Sequence, residues 1–264
     1  MPETFNTSAV HAQFQDLNSM RAFANRMIGY WDRDHGRTFN LKIEYAEATG
    51  PVIWAYTNHV VELMRTVLEL SKADRMIVAV PLIRLILELT MTSIWIYLEP
   101  ARVRGVIHES LRQRRAGIKD ILELGAEGFS EELLQKVSME MDEFAADAHP
   151  GGRHFEQRCR EIVDGLGVYA TWRVMSSLSH PGLAMADSYL VEAPRTSANP
   201  LGIHFSSNKK LGDREAWLGT AIGMLLASLK VCDLIDADGR RRSQIASGAK
   251  KLGISLDFRL VSSA

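Results

Sequence analysis

Residues 76–98 read MIVAVPLIRLILELTMTSIWIYL, the most apolar stretch of the chain. Apolar side chains cover every face that a 3.6-residue period generates, which predicts a helix buried on all sides. Arg84 and Glu88 interrupt it, and the longest charge-free run is residues 89–98. A membrane span needs about 20 apolar residues, so the segment is expected to be the central helix of a bundle, with a span as the poorer alternative. Pro81 either opens the regular part of this helix or kinks it, and Glu99-Pro100 ends it.

Helical periodicity continues outward on both sides. Upstream, Phe14, Leu17, Phe23, Met27 and Ile28 predict a helix over 8–32, followed by a loop around 34–36. Residues 40–71 read as helical with a boundary at Gly50-Pro51. Downstream, helices are expected over 101–124, from Ser130 to about 147, over 153–165, over 168–180, and over 214–236 with Asp213 as cap. His149-Pro150-Gly151-Gly152 reads as a loop. Residues 186–192 and 202–207 lack helical periodicity and flank a Pro-, Ser- and Asn-rich turn, which predicts a β-hairpin. The expected fold is all-α, a bundle of about 7–9 helices with a small hairpin insert near 186–207. One domain is expected over 1–264, made of an N-terminal helical extension (1–50), a core (51–237) and a polar, basic tail (238–264).

The chain has 264 residues, enough for a sizeable core without disulfides or metal. Lys plus Arg number 31 against 32 Asp plus Glu, a net charge of −1 that excludes a uniformly basic nucleic-acid binder. The balance hides two blocks. Residues 100–119 hold six basic residues against Glu109, and residues 120–147 hold nine acids against Lys136. These blocks are either two helices pairing in an antiparallel hairpin or a basic strip facing a phosphate backbone, with Arg102, Arg104, Arg112, Arg114 and Arg115 as the RNA-contacting candidates.

The two cysteines, Cys159 and Cys232, are far apart and sit in apolar helices, where a free thiol acts as a small hydrophobe. The start MPETFNTSAV has no signal-peptide pattern, so the expected location is cytoplasmic, with no membrane partner. Motifs for nucleotide phosphoryl transfer, serine hydrolysis and zinc proteolysis are absent from the sequence. Asp32-x-x-His35 and His149-x4-His154 are the nearest metal-like spacings and are poor ones; no metal and no cofactor is expected.

The informative residues are charges on apolar helices. Arg84 and Glu88, at i and i+4, share a face. They must pair or reach a polar cavity, because an isolated buried charge costs several kcal/mol. The segment Tyr169-Ala-Thr-Trp-Arg173-Val-Met-Ser176-Ser177-Leu-Ser-His180 places Arg173 and His180 two turns apart, with Ser176 and Ser177 between them on the same side. Histidine at a helix end suits general acid–base work, and arginine suits a phosphate oxygen. The bland alternative is a capping His180 with Arg173 paired to an acid such as Glu88.

The Arg-x6-His spacing on a late helix of an all-α bundle resembles the HEPN superfamily. The segments RLILELTMTSIWIYLEP and VYATWRVMSSLSHPG are also similar to an uncharacterised family of bacterial all-α proteins with Arg-x3-Glu on a central helix and Ser-x2-His later. The likeness covers residues 50–236 loosely. The HEPN resemblance implies a metal-independent ribonuclease of toxin or phage-defence type, working as a homodimer on RNA. It implies Arg173, His180 and Glu88 as catalytic residues, supported by Arg84, Ser176, Ser177 and Tyr169, with an antitoxin or other protein as a further partner. The HEPN toxins silenced by tyrosine modification carry Arg-x4-Tyr-x-His, and Leu178 stands at the tyrosine position, so that silencing is not implied. Two other readings remain open. One is a non-catalytic module that binds a protein or nucleic acid. The other is a small-molecule site lined by Trp95, Tyr169 and Trp172.

Overall fold

The structure is a computed structural model and describes residues 7–33, 39–125, 128–147, 149–206 and 214–261. Eleven α-helices and one two-stranded hairpin make up the described residues, with short 3-10 turns between them. The class is all-α, as the periodicity predicts. The loop at 34–36, Ser207 and the expected cap Asp213 lie outside the described residues.

Helices α1 (Leu17–Arg33), α2 (Thr49–Lys72), α3 (Met76–Leu98) and α10 (Arg214–Ile235) build the core. α3 lies at its centre, packed against α2, α10 and α8 (Gly165–Ser179). Ile83, Ile86, Leu87, Met91, Ile94 and Trp95 of α3 are fully buried. α10 is buried along nearly its whole length, from Leu218 to Ile235. The apolar sides of the central helices face one another, so burial stabilises the centre by about 25 cal/mol per Å² of apolar surface. α3 and α10 have mean hydropathies of 1.9 and 1.7 over an 18-residue window, long and apolar enough to cross a membrane. Here 61% and 89% of those windows are buried inside the bundle.

α2 and α3 form a tight helical hairpin. Ala73 ends α2, and Asp74 takes a left-handed conformation (φ 58°), which a short polar side chain tolerates. α3 starts at Met76, so Pro81 does not open it but lies inside it. α2 starts at Thr49, so Pro51 sits in its first turn, where a missing N–H leaves no bond unmade. Residues before it, read as helical, instead hold a short 3-10 turn (Ile43–Tyr45) and a bridge between Leu41 and Asp236.

Around this core lie α4 (Val103–Glu123), α5 (Glu131–Asp142), α6 (Pro150–Arg153), α7 (Phe155–Glu161), α9 (Leu183–Asp187) and α11 (Arg242–Leu252). The Ser130 hydroxyl accepts from the Leu133 amide at 3.3 Å and starts α5, as its sequence signals. The expected loop at 149–152 is partly a one-turn helix. His149 Nδ1 accepts from the Gly151 amide at 3.0 Å and acts as cap, and Pro150 supplies the preset first φ. The expected polar tail contains α11, whose Ile245, Gly248 and Leu252 are buried. The hairpin pairs β1 (Leu190–Glu192) antiparallel with β2 (Ile203–Phe205), Val191 opposite His204. Cys159 and Cys232 are free and buried, and burial pushes each thiol up to about 12.

Candidate functional site

α8 carries most of the sequence candidates, and α3 fixes its position. Arg84 of α3 donates from Nε to the Ser176 hydroxyl at 2.8 Å and pairs through its terminal nitrogen with Glu88 Oε1 at 2.9 Å. The same carboxylate oxygen accepts from Trp172 Nε1 at 2.6 Å. The guanidinium also lies 4.6 Å from the centre of the Trp172 ring, a cation–π contact. Arg84 and Glu88 therefore answer each other, as their spacing requires, and together clamp α8 to α3 by one hydroxyl and one indole.

α8 ends at Ser179, because Pro181 disfavours helical geometry at His180, whose φ and ψ are −108° and 153°. Arg173, Ser177 and His180 are exposed, and Ser176 and Tyr169 are half-buried. Ser177 donates to the Val174 carbonyl at 2.7 Å. Arg173 does not pair with Glu88. Its charge instead acts on Glu156, whose carboxyl lies below the usual carboxylate range because Arg160 and Tyr169 donate to it, with Arg173 adding a smaller pull. Val174 is exposed, together with Leu166 on the same helix.

Beside α8 opens a cleft of about 580 Å³, floored by α6 and α7 and reaching Glu88 of α3 and Gln113 of α4. Trp172 and Tyr169 line one wall, their rings stacked at 5.8 Å. Tyr169 OH donates to Glu156 Oε2 at 2.8 Å, and Arg160 pairs with Oε1 at 2.6 Å. Trp95, the third aromatic candidate, is core instead: it is fully buried and its Nε1 donates to Glu161 at 2.7 Å. Glu88 thus faces the cleft, whereas Arg173 and His180 lie outside its lining.

Sequence reasoning missed Arg158. It donates to the carbonyls of Gly151 and Gly152, at 2.5 and 2.8 Å, and to the Thr92 hydroxyl at 2.5 Å. All three acceptors are neutral. Burial pulls its guanidinium below the ordinary arginine value. A signal for it existed: Phe155 and Cys159 of α7 and Ile162 just past its end are buried at helical spacing, and Arg158 falls inside that stripe.

The basic strip is broken up by its own contacts. Arg102 pairs with Glu99 at 2.9 Å and with Glu161 at 3.0 Å, against the Trp95 ring. Arg112 grips Glu109 with two bonds of 2.7 Å. Arg115 donates to Ser138 of α5 at 2.9 Å, and Arg104 packs over the Phe144 ring. Arg104, Arg114 and Arg115 keep an exposed basic edge on α4. The pairs made by Arg112 and Lys119 run along α4 rather than across to α5.

Among the described residues no group of three or more His, Cys, Asp or Glu is placed to hold a metal ion. His149 has its Nδ1 engaged and its ring against Trp95 at 5.3 Å. Asp32 pairs with Arg65 at 2.6 Å, and His35 lies outside the described residues. Compared with known proteins, the chain finds no matching family model, no matching curated protein and no matching solved structure.

Proposed function

We propose that the protein is a metal-independent, HEPN-like endoribonuclease of the toxin or phage-defence kind, located in the cytoplasm and acting as a homodimer. The observation that carries this reading is the clamp on α8. Arg84 and Glu88 hold Ser176 and Trp172, and this leaves Arg173 exposed on a helix whose position is fixed and His180 exposed just past its end. A rigid element that displays an imidazole and a guanidinium to solvent is the arrangement that phosphodiester cleavage needs. His180 takes the proton of a ribose 2′-hydroxyl, and the 2′-oxygen attacks phosphorus. The bond to the 5′-oxygen breaks, and an imidazolium donates a proton to that leaving oxygen. The products are a 2′,3′-cyclic phosphate and a 5′-hydroxyl end. Arg173 neutralises charge on the phosphate oxygens, Arg84 and Glu88 act as positioning residues, and the exposed arginines of α4 contact the backbone. A second copy of α8 supplies the second histidine.

The test is cleavage of single-stranded RNA in EDTA. The expected result is cyclic-phosphate products, with activity lowered about 10²–10⁴-fold in His180→Ala. Cleavage that survives in His180→Ala sinks the proposal, as does an inert wild type.

A second reading is favoured by the exposed Leu166 and Val174 that flank Arg173. In it the same face is a docking surface for another protein, and the polar residues have no catalytic part. An inert wild type that nevertheless forms a stable complex through α8 supports that reading.

A further inference from the structure

The cleft beside α8 is a site in its own right. Its floor carries Arg158, a part-buried cation bonded only to neutral acceptors. Carbonyl and hydroxyl oxygens satisfy its donors but leave its charge in place. A part-buried charge with no carboxylate bonded to it carries a desolvation cost that a directly bound anion offsets. The carboxylates whose charges act on it, Glu88 and Glu109, make their bonds elsewhere: Glu88 with Arg84 and Trp172, and Glu109 with Arg112 and Gln113. Arg153 adds a second, exposed cation to the same lining.

The remaining lining groups accept hydrogen bonds. Glu88 uses Oε1 for both of its protein donors, so Oε2 is open to a ligand. Gln113 and Gln157 each direct their amide nitrogen at a glutamate, at 2.9 Å, and keep their carbonyl oxygens available. A positive floor with three acceptor oxygens around it matches a molecule that joins a strong anion to several hydroxyl donors. A volume of about 580 Å³ is in the range of small-ligand pockets.

We propose that this cleft binds a phosphorylated polyol, a sugar phosphate or its open-chain equivalent. The phosphate sits against Arg158 and Arg153, and the hydroxyls donate to Glu88, Gln113 and Gln157. The site uses neither Arg173 nor His180 and shares Glu88 with the RNA-cleavage reading, and its binding test is read without RNA cleavage.

Titration calorimetry of the full chain tests it with inorganic phosphate, glycerol 3-phosphate, ribose 5-phosphate, glucose 6-phosphate and glucose. Saturable binding of at least one sugar or polyol phosphate is expected, at least tenfold tighter than inorganic phosphate, with none for glucose. Arg153→Gln weakens it about tenfold, and Lys72→Gln, exposed at the end of α2, leaves it unchanged. Arg153 is exposed and adds only the smallest of the pulls on Glu109, so its variant stays folded, which circular dichroism verifies. The proposal is overturned if no phosphorylated polyol binds tenfold better than phosphate, or if Arg153→Gln binds like the wild type.

Discussion

Arg84 shows how much one side chain settles. Its stem crosses an apolar region, and its guanidinium meets a carboxylate, a hydroxyl and an indole face. The pair it makes with Glu88 is neither surface nor core, with side chains 24% and 27% exposed. Exposed pairs contribute at most about 1 kcal/mol, and breaking a fully buried one costs about 3–5 kcal/mol. Arg84→Met leaves Glu88 with only the Trp172 indole as partner, and the expected loss is about 1–2 kcal/mol. Glu88→Gln costs less, because an amide oxygen still accepts from Trp172 Nε1. Urea denaturation of both variants checks the order. An Arg84→Met protein within about 0.5 kcal/mol of wild type, the scatter of ordinary surface changes, contradicts the clamp. The i, i+4 spacing made this pair legible in the sequence. The bonds to Ser176 and Trp172 were not legible, because they depend on where α3 and α8 cross.

At the scale of elements, the long helices were readable and the short ones were not. α3 and α10 advertise themselves by continuous apolar sequence, and α5 by its cap. α6 has four residues, two of them glycine, and no periodicity to detect. It forms because His149 caps it and because its glycines fit where nothing larger does. A Cβ on Gly152 would lie 2.5 Å from the carbonyl oxygen of Gly105 in α4, a backbone atom that cannot swing aside. Gly152→Ala is therefore expected to push α6 off α4 and cost about 1–3 kcal/mol. The Gly152 carbonyl also holds Arg158, so the same substitution loosens the floor of the cleft. Thermal unfolding reads the first effect. A melting temperature equal to that of wild type would show that α4 and α6 do not approach as closely as described.

For the whole molecule, a net charge of −1 says little, because the charges are sorted by place. Cations and carboxylates meet in small knots around α4, α7 and α8, and these knots set the response to acid. The two bonds from Arg112, with help from Gln113, hold Glu109 below the usual carboxylate range. Burial raises Glu161, but bonds from Trp95 and Gln157 and the charge of Arg102 outweigh it, and its net shift is also downward. A carboxyl whose folded value is depressed contributes stability that is fully present above its unfolded value, about 4.3 for glutamate, and is lost as pH falls through the folded value. Stability from these groups is therefore flat from neutral pH down to that point and falls below it. Glu109→Gln removes the ionisable partner of Arg112, so it lowers stability at neutral pH and flattens the acid limb. The check is denaturant midpoints for both proteins between neutral pH and the acid range. The two curves should converge as pH drops, because protonation does to the wild type what the substitution has already done. Parallel curves would mean that the grip of Arg112 on Glu109 contributes nothing to the acid response, which would then come from the other depressed carboxyls, Glu132, Glu156 and Glu161.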